Sequence, residues 1–295
     1  MKLKYTGTRN VALKESPSGF FDEMGICETP GLEELVKLEA PTSLTLPMSE
    51  AKSQGQLGTC TSFAVIGCLD YFHGLIDLSE ACITHEAERR HGECTAGLAI
   101  VHAMQTAKDL GVVTEEAWPY DGINICWNSP PPTNGKTRYR FNQIAYVFRR
   151  PRSLIRTNIE EVANSDSLNS TSQIESSSSQ DIIGSIKAIL TNRRQPITVS
   201  IPVWWESSGH FDADWEWGPN IKMPTPTNLK TWLEYNSSPP NIDGWHAIAI
   251  HGFDDQTRRF EFKNSWGKWW GNNGFGTIPY DYITSYSDLG MHGWL

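Results

Sequence analysis

The chain has 295 residues, 39% of them hydrophobic and 20% charged, with a formal net charge of -9. That composition suits a globular protein able to bury its own core, as one large domain or two closely packed ones. The acidic balance, without any Lys/Arg cluster, argues against nucleic acid as a partner, and no run of ~18 apolar residues offers a membrane span.

The six cysteines are sparse for a disulfide-stapled secreted domain. The opening MKLKYTGTRNV lacks the apolar core of a secretory signal. The expected location is therefore cytoplasmic and thiol-reducing, with secretion by another route left open. The eight histidines form neither H-E-x-x-H nor a Cys/His quartet, so neither a metal site nor any other cofactor is expected.

Residues 1–45 carry turn formers around Pro17-Ser18-Gly19 and Pro30-Gly31, with a short helix expected over Leu32 to Leu38. They read as an N-terminal extension, either surface-packed or a short pro-segment covering a cleft. From Thr59 to about Leu75, apolar residues recur at helical spacing over most of the circumference, which predicts a buried central helix. Thr59 and Thr61 are its candidate caps. A second helix is expected over Leu98–Leu110, stopped by Gly111. Trp118-Pro119-Tyr120-Asp121-Gly122 and Pro130-Pro131-Pro132 then break the pattern. The boundary drawn there gives a mainly helical part, 46–135, and a mainly β part, 136–295. Within the latter, the Ser-rich stretch 164–180 reads as a mobile surface loop, followed by a helix over Asp181–Asn192. ITVSIPVWW reads as a strand, as do HAIAIHGF, RRFEFKNSW and GFGTIPYDYI, with a turn at Gly252–Thr257 making a hairpin of the first two of these three. Helices first and strands later imply an α+β fold with a cleft between two lobes.

Chemistry concentrates in three places. Gly55 and Gly58 make a close-approach loop ahead of Cys60, which falls at the start of the predicted central helix. A helix N-terminus favours thiolate over thiol and offers N–H groups to an oxyanion, and Gln54 adds a side-chain amide donor. Cys68, inside the same helix without such a loop, reads as a packed thiol. His246 opens an apolar strand, and Asn264 closes the next. Antiparallel pairing sets them at one end of the hairpin, where the asparagine oxygen can orient the imidazole.

These blocks resemble the papain family of cysteine peptidases. Gln54 and Cys60 fit the family spacing of glutamine, five residues, then cysteine, and Phe63-Ala64 continue it. His246-Ala247 resemble the histidine block. The third block, Asn-Ser-Trp-Gly-x-x-Trp-Gly-x-x-Gly, is met in full from Asn264 to Gly274. Leu78-Ser79-Glu80 and Trp118-Pro119-Tyr120 are fainter echoes. The resemblance spans roughly 46–284, in order. It implies two lobes, one helical and one β-rich and barrel-like, and peptide hydrolysis through a thioester on Cys60. His246 would be base and acid, Asn264 its orienting group, and Gln54 with the Cys60 amide the oxyanion site. Peptides or proteins would be the substrates. Gly97, Leu98, Ala247 and Trp266 are the candidates for contacting them.

The chain also departs from the family pattern. Thr61 stands where a tryptophan is usual. Leu57 replaces a disulfide cysteine whose usual partner position Cys94 resembles, so that bridge is absent, as expected of a prokaryote-type member. The glycine-rich wall is reduced to Ala96-Gly97-Leu98. Trp204-Trp205 and the segment 207–243 are candidates for closing the cleft ends. Two alternatives stay open: a transpeptidase or ligase in which an amine captures the thioester, and a catalytically silent peptide- or protein-binding module.

Overall fold

The computed structural model describes residues 14–15, 19–91, 97–121, 133–164, 176–204, 213–237 and 244–295. Cys94, Ala96, Cys126, Trp205 and the middle of the Ser-rich stretch lie outside them.

In chain order the elements begin with α1 (Phe20–Glu23), α2 (Leu32–Val36) and β1 (Ser43–Thr45). The helices α3 (Cys60–Phe72), α4 (Glu80–His91) and α5 (Ile100–Asp109) follow. Next come β2 (Gln143–Arg149), α6 (Arg152–Asn164), and α7 (Ser176–Ala188), which runs on into a π-helical turn at Ile189–Arg193. β3 (Ile197–Pro202), α8 (Ala213–Trp217) and α9 (Pro226–Ser237) lead to β4 (Trp245–Asp254) and β5 (Arg259–Lys263). The chain ends with β6 (Phe275–Pro279), α10 (Tyr280–Tyr286) and β7 (Leu289–Trp294).

All seven strands join one antiparallel sheet in the order β2-β7-β3-β4-β5-β6, with β1 pairing with β4. The sheet is open, since no ladder among the described residues joins β2 to β6. β3, β4 and β7 are buried almost throughout; β4 carries a continuous apolar run from Ala247 to Ile250, while β3 alternates Ile197, Val199 and Ile201 with the buried hydroxyls of Thr198 and Ser200. α3 lies between this sheet and α4/α5. Every residue from Cys60 to Asp70 is buried, which explains why its apolar positions cover the whole circumference. Phe63, Val65, Ile66 and Leu69 each contribute roughly 1.5–3 kcal/mol by leaving water. The result is an α+β fold of two lobes, with α3 at their junction.

Several local expectations are corrected. The stretch 164–180 is not all loop: α6 runs to Asn164 and α7 begins at Ser176. GFGTIPYDYI is a strand only to Pro279, where that residue takes the N-cap position of α10. The hairpin turn lies at 255–258, because β4 continues through Asp254. α4, α6, α9 and β2 went unread in the sequence. The mixed composition of α4 and α9 leaves little periodic signal, whereas α6 carries Ile155, Ile159 and Val162 at helical spacing.

Candidate active site

Cys60 is the first residue of α3, and Thr59 holds the N-cap position. The cap is made by the backbone alone. The Thr59 carbonyl accepts from the Ser62 and Phe63 amides, while its side chain gives no cap hydrogen bond. The Thr59 hydroxyl lies instead 2.8 Å from the Tyr120 hydroxyl. Thr61 does not cap either, because its hydroxyl donates to the Leu98 carbonyl at 2.6 Å.

The loop before Cys60 belongs to no helix or strand, so individual polar ties fix it. The Gln54 amide N–H donates to the Ser265 carbonyl at 2.8 Å. Its side-chain oxygen accepts from the Ser265 hydroxyl at 2.5 Å, and its Nε2 donates to the Leu57 carbonyl at 2.7 Å. Gly55 turns the loop at a φ of +63°, where a Cβ would be strained.

On the sheet side, β4 and β5 pair with Ala249 opposite Lys263, which sets Asn264 near the His246 end of the hairpin. His246 Nε2 lies 2.8 Å from Asn264 Oδ1. The ring nitrogen is therefore the donor, because an amide oxygen can only accept. The same Oδ1 accepts from the Ser265 amide, and the Asn264 amide donates to the Gly274 carbonyl. Gly274 has φ +89°, and a Cβ there would meet that of Ala51 at 2.2 Å, so glycine is required.

Aromatic rings enclose the pair. Trp266 tilts over the His246 ring at 4.8 Å between centroids, and Trp215 meets it edge-on at 6.4 Å. Trp270 anchors Trp215 by donating its indole N–H to the Trp215 carbonyl at 2.8 Å. Cys60 and His246 both have 0% exposed surface, and α3 packs on β4, so the helix bearing the thiol lies against the strand bearing the imidazole.

Cys68 sits 3.3 Å from the Thr198 hydroxyl, and burial pushes its thiol up to about 12, which leaves it a protonated packing residue. Burial also raises the Cys82 thiol. Cys27, Cys60, Cys68 and Cys82 carry no disulfide.

Charges that no motif in the sequence marks lie close to the site. Lys52 Nζ meets Glu80 at 2.5 Å, Asp77 at 2.8 Å and Glu115 at 3.3 Å. Burial alone would lower this ammonium, but the three carboxylates outweigh it and raise it. Lys263 Nζ donates to the Ser49 hydroxyl, which donates to Asp70, each at 2.7 Å. Burial pushes Asp70 up to about 6 against the pull of Lys263. The available signal was position: Lys52 stands two residues before Gln54, and Lys263 immediately before Asn264.

No family model matches the chain. An uncharacterized peptidase C1-like protein of Acanthamoeba polyphaga mimivirus is 38% identical over 52 residues, 18% of this chain and 16% of that protein. A KDEL-tailed cysteine endopeptidase of Arabidopsis thaliana is 27% identical over 82 residues, 26% of this chain and 23% of that protein. The matched segments thus span less than a quarter of either curated relative. Among solved structures, xylellain, a cysteine protease from Xylella fastidiosa, superposes over 100% of both chains with a TM-score of 0.69 at 18% identity. The chain has the papain-like fold.

Within that fold, the four residues expected to contact substrate are enclosed. Leu98 and Ala247 are buried side chains, Ala247 facing Ser200 across the β3–β4 ladder. Trp266 packs on His246. Gly97 is buried at φ +84°, a conformation suited to glycine. Trp204 is core, packed against Trp232, Tyr282 and Tyr286. Residues 43–45 pair with the end of β4 remote from His246. No helix among the described residues is long and apolar enough to cross a membrane.

Proposed function

We propose that this chain is a cysteine peptidase that cleaves peptide bonds through Cys60, His246 and Asn264. The observation that carries the reading is the 2.8 Å bond between His246 Nε2 and Asn264 Oδ1, under Trp266, on the strand that packs against the helix opened by Cys60. An asparagine oxygen that accepts a hydrogen bond from Nε2–H fixes the tautomer and leaves Nδ1 as the nitrogen to exchange protons with the thiol.

In the proposed reaction the Cys60 thiolate attacks a peptide carbonyl carbon. The developing oxyanion accepts from the Cys60 amide and the Gln54 side-chain amide. The C–N bond breaks as the imidazolium gives its Nδ1 proton to the leaving amine, and a thioester remains on Sγ. Water then loses a proton to His246 while its oxygen attacks the thioester. The C–S bond breaks, and acid product and thiolate–imidazolium pair are restored. The substrates on this reading are peptides or proteins. That Cys27, Cys60, Cys68 and Cys82 form no disulfide suits a reducing, cytoplasmic setting.

The test is covalent labelling with an epoxide inhibitor of cysteine peptidases, read by intact mass under reducing conditions. One adduct is expected on the wild type, absent in Cys60→Ala and slowed in His246→Ala. No adduct on correctly folded wild type would favour a silent binding module.

A further inference from the structure

Two sequence echoes, Leu78-Ser79-Glu80 and Trp118-Pro119-Tyr120, have no part in the proposed reaction, yet the fold ties them together behind the cysteine loop. The Ser79 hydroxyl donates to the Trp118 carbonyl at 2.5 Å. The Tyr120 amide donates to Glu115 at 2.6 Å, and Glu115 meets Lys52, which also binds Glu80 and the Leu78 carbonyl. The Tyr120 ring stands edge-on to Phe63 of α3 at 4.9 Å. From this anchorage its hydroxyl reaches both ends of the loop: it donates to the Gln54 carbonyl at 2.8 Å and lies 2.8 Å from the Thr59 hydroxyl.

Proton accounting orders the chain. A phenol has one proton, and the Gln54 carbonyl can only accept, so that proton goes to Gln54. Thr59 therefore donates to the phenol oxygen. Burial raises the Tyr120 pKa, which keeps the hydroxyl protonated as a donor.

We propose that Tyr120 is a positioning residue of the oxyanion site, its hydroxyl setting the separation between Gln54 and the Thr59–Cys60 peptide. The two oxyanion donors would be the Gln54 amide and the Cys60 N–H, and the latter belongs to that peptide. Neither donor lies in a strand ladder, so one side chain that grips both flanks fixes their spacing. Sub-ångström spacing decides whether two donors converge on one oxygen. The inference rests on the cysteine-peptidase reading.

Tyr120→Phe keeps the ring and its packing on Phe63 and removes only the hydroxyl. With a lost hydrogen bond of ordinary strength, kcat should fall about tenfold with KM changed by less than about twofold. Inhibition by a peptide aldehyde, whose adduct also places an oxyanion there, should weaken by a similar factor. Alkylation of Cys60 by iodoacetamide forms no oxyanion and should keep its rate. Thr59→Val should move in the same direction and Thr59→Ser should not, and this pair carries the test if Tyr120→Phe folds poorly. Unchanged kcat and aldehyde affinity in Tyr120→Phe and Thr59→Val would overturn the proposal. So would an alkylation rate that falls in step with kcat. A wild type that neither hydrolyses peptides nor binds the aldehyde, although Cys60 alkylates, would sink the peptidase reading and this inference with it. An active wild type beside fully active variants would sink this inference alone.

Discussion

The two halves of the site are held by opposite means. On the helical side, the loop before Cys60 is pinned by hydroxyls, amides and a charged hub in which Lys52 meets Glu80, Asp77 and Glu115. On the sheet side, the bond between His246 and Asn264 lies among Trp215, Trp266 and their neighbours, with Trp270 bracing from behind. The difference follows from the backbone. A strand already has its polar groups paired and its direction set, so His246 needs only shielding from water. An irregular loop has no ladder to define it, and each turn must be fixed by a separate polar tie.

The largest expected effect removes what both halves serve. Cys60→Ala should abolish turnover, and His246→Ala should lower kcat/KM on the order of 10⁴-fold or more, both measured on a peptide substrate. Next come the two sheet-side supports. Asn264→Ala removes a hydrogen bond to a group that becomes charged in the reaction and should cost roughly 10–100-fold in kcat. Trp266→Ala empties a large buried site and should cost about 3–5 kcal/mol of stability, read by urea unfolding. If Trp266→Ala lost activity without stability, shielding would be the wrong description of the sheet side.

On the helical side, Lys52→Met strands Glu80, which has only 2% of its surface exposed, and should destabilise by about 3–5 kcal/mol. Lys52→Met combined with Glu80→Gln should recover part of that loss, because no stranded charge then remains at Glu80. A double variant less stable than Lys52→Met in urea unfolding would show that the hub acts through shape and not through charge.

The same contrast explains what was legible in the sequence. β4 is a long apolar run, β5 alternates Phe260 and Phe262 with charged residues across the turn, and α3 is an apolar helix with a glycine loop ahead, so His246, Asn264 and Cys60 could be set on elements by pattern alone. Tyr120 and Lys52 could not. Their partners Gln54, Thr59 and Glu80 lie 61–66 or 28 residues away or sit in irregular backbone, and no periodicity reports such ties. Thr59 stands at the cap position, but its hydroxyl is spent on Tyr120. α9 and α6 pack on each other, yet sequences as polar as PTNLKTWLEYNS carry a weak amphipathic signal.

The smallest effect concerns acid. Burial keeps histidines neutral in the sheet and in α5 alike. Burial pushes His251 in β4 down to about 4 and His292 in β7 down to about 3. In α5, burial lowers His102 to about 4, helped by His91, stacked on it at 3.7 Å, and by Lys14. Unfolded histidines titrate near ~6.5, so between that value and the folded ones the unfolded chain binds more protons. Stability should therefore fall as pH drops from about 6.5 toward about 4. Asp70, pushed up to about 6 by burial, and Glu80, which burial also raises, act in the opposite direction, against five lowered histidines, His85, His91, His102, His251 and His292. Urea midpoints at pH 7 and pH 5 should differ with the lower value at pH 5, and His102→Gln should narrow the gap. A midpoint that stays level or rises on acidification would mean that the raised carboxyls Asp70 and Glu80, and not the neutral histidines, govern the response to acid.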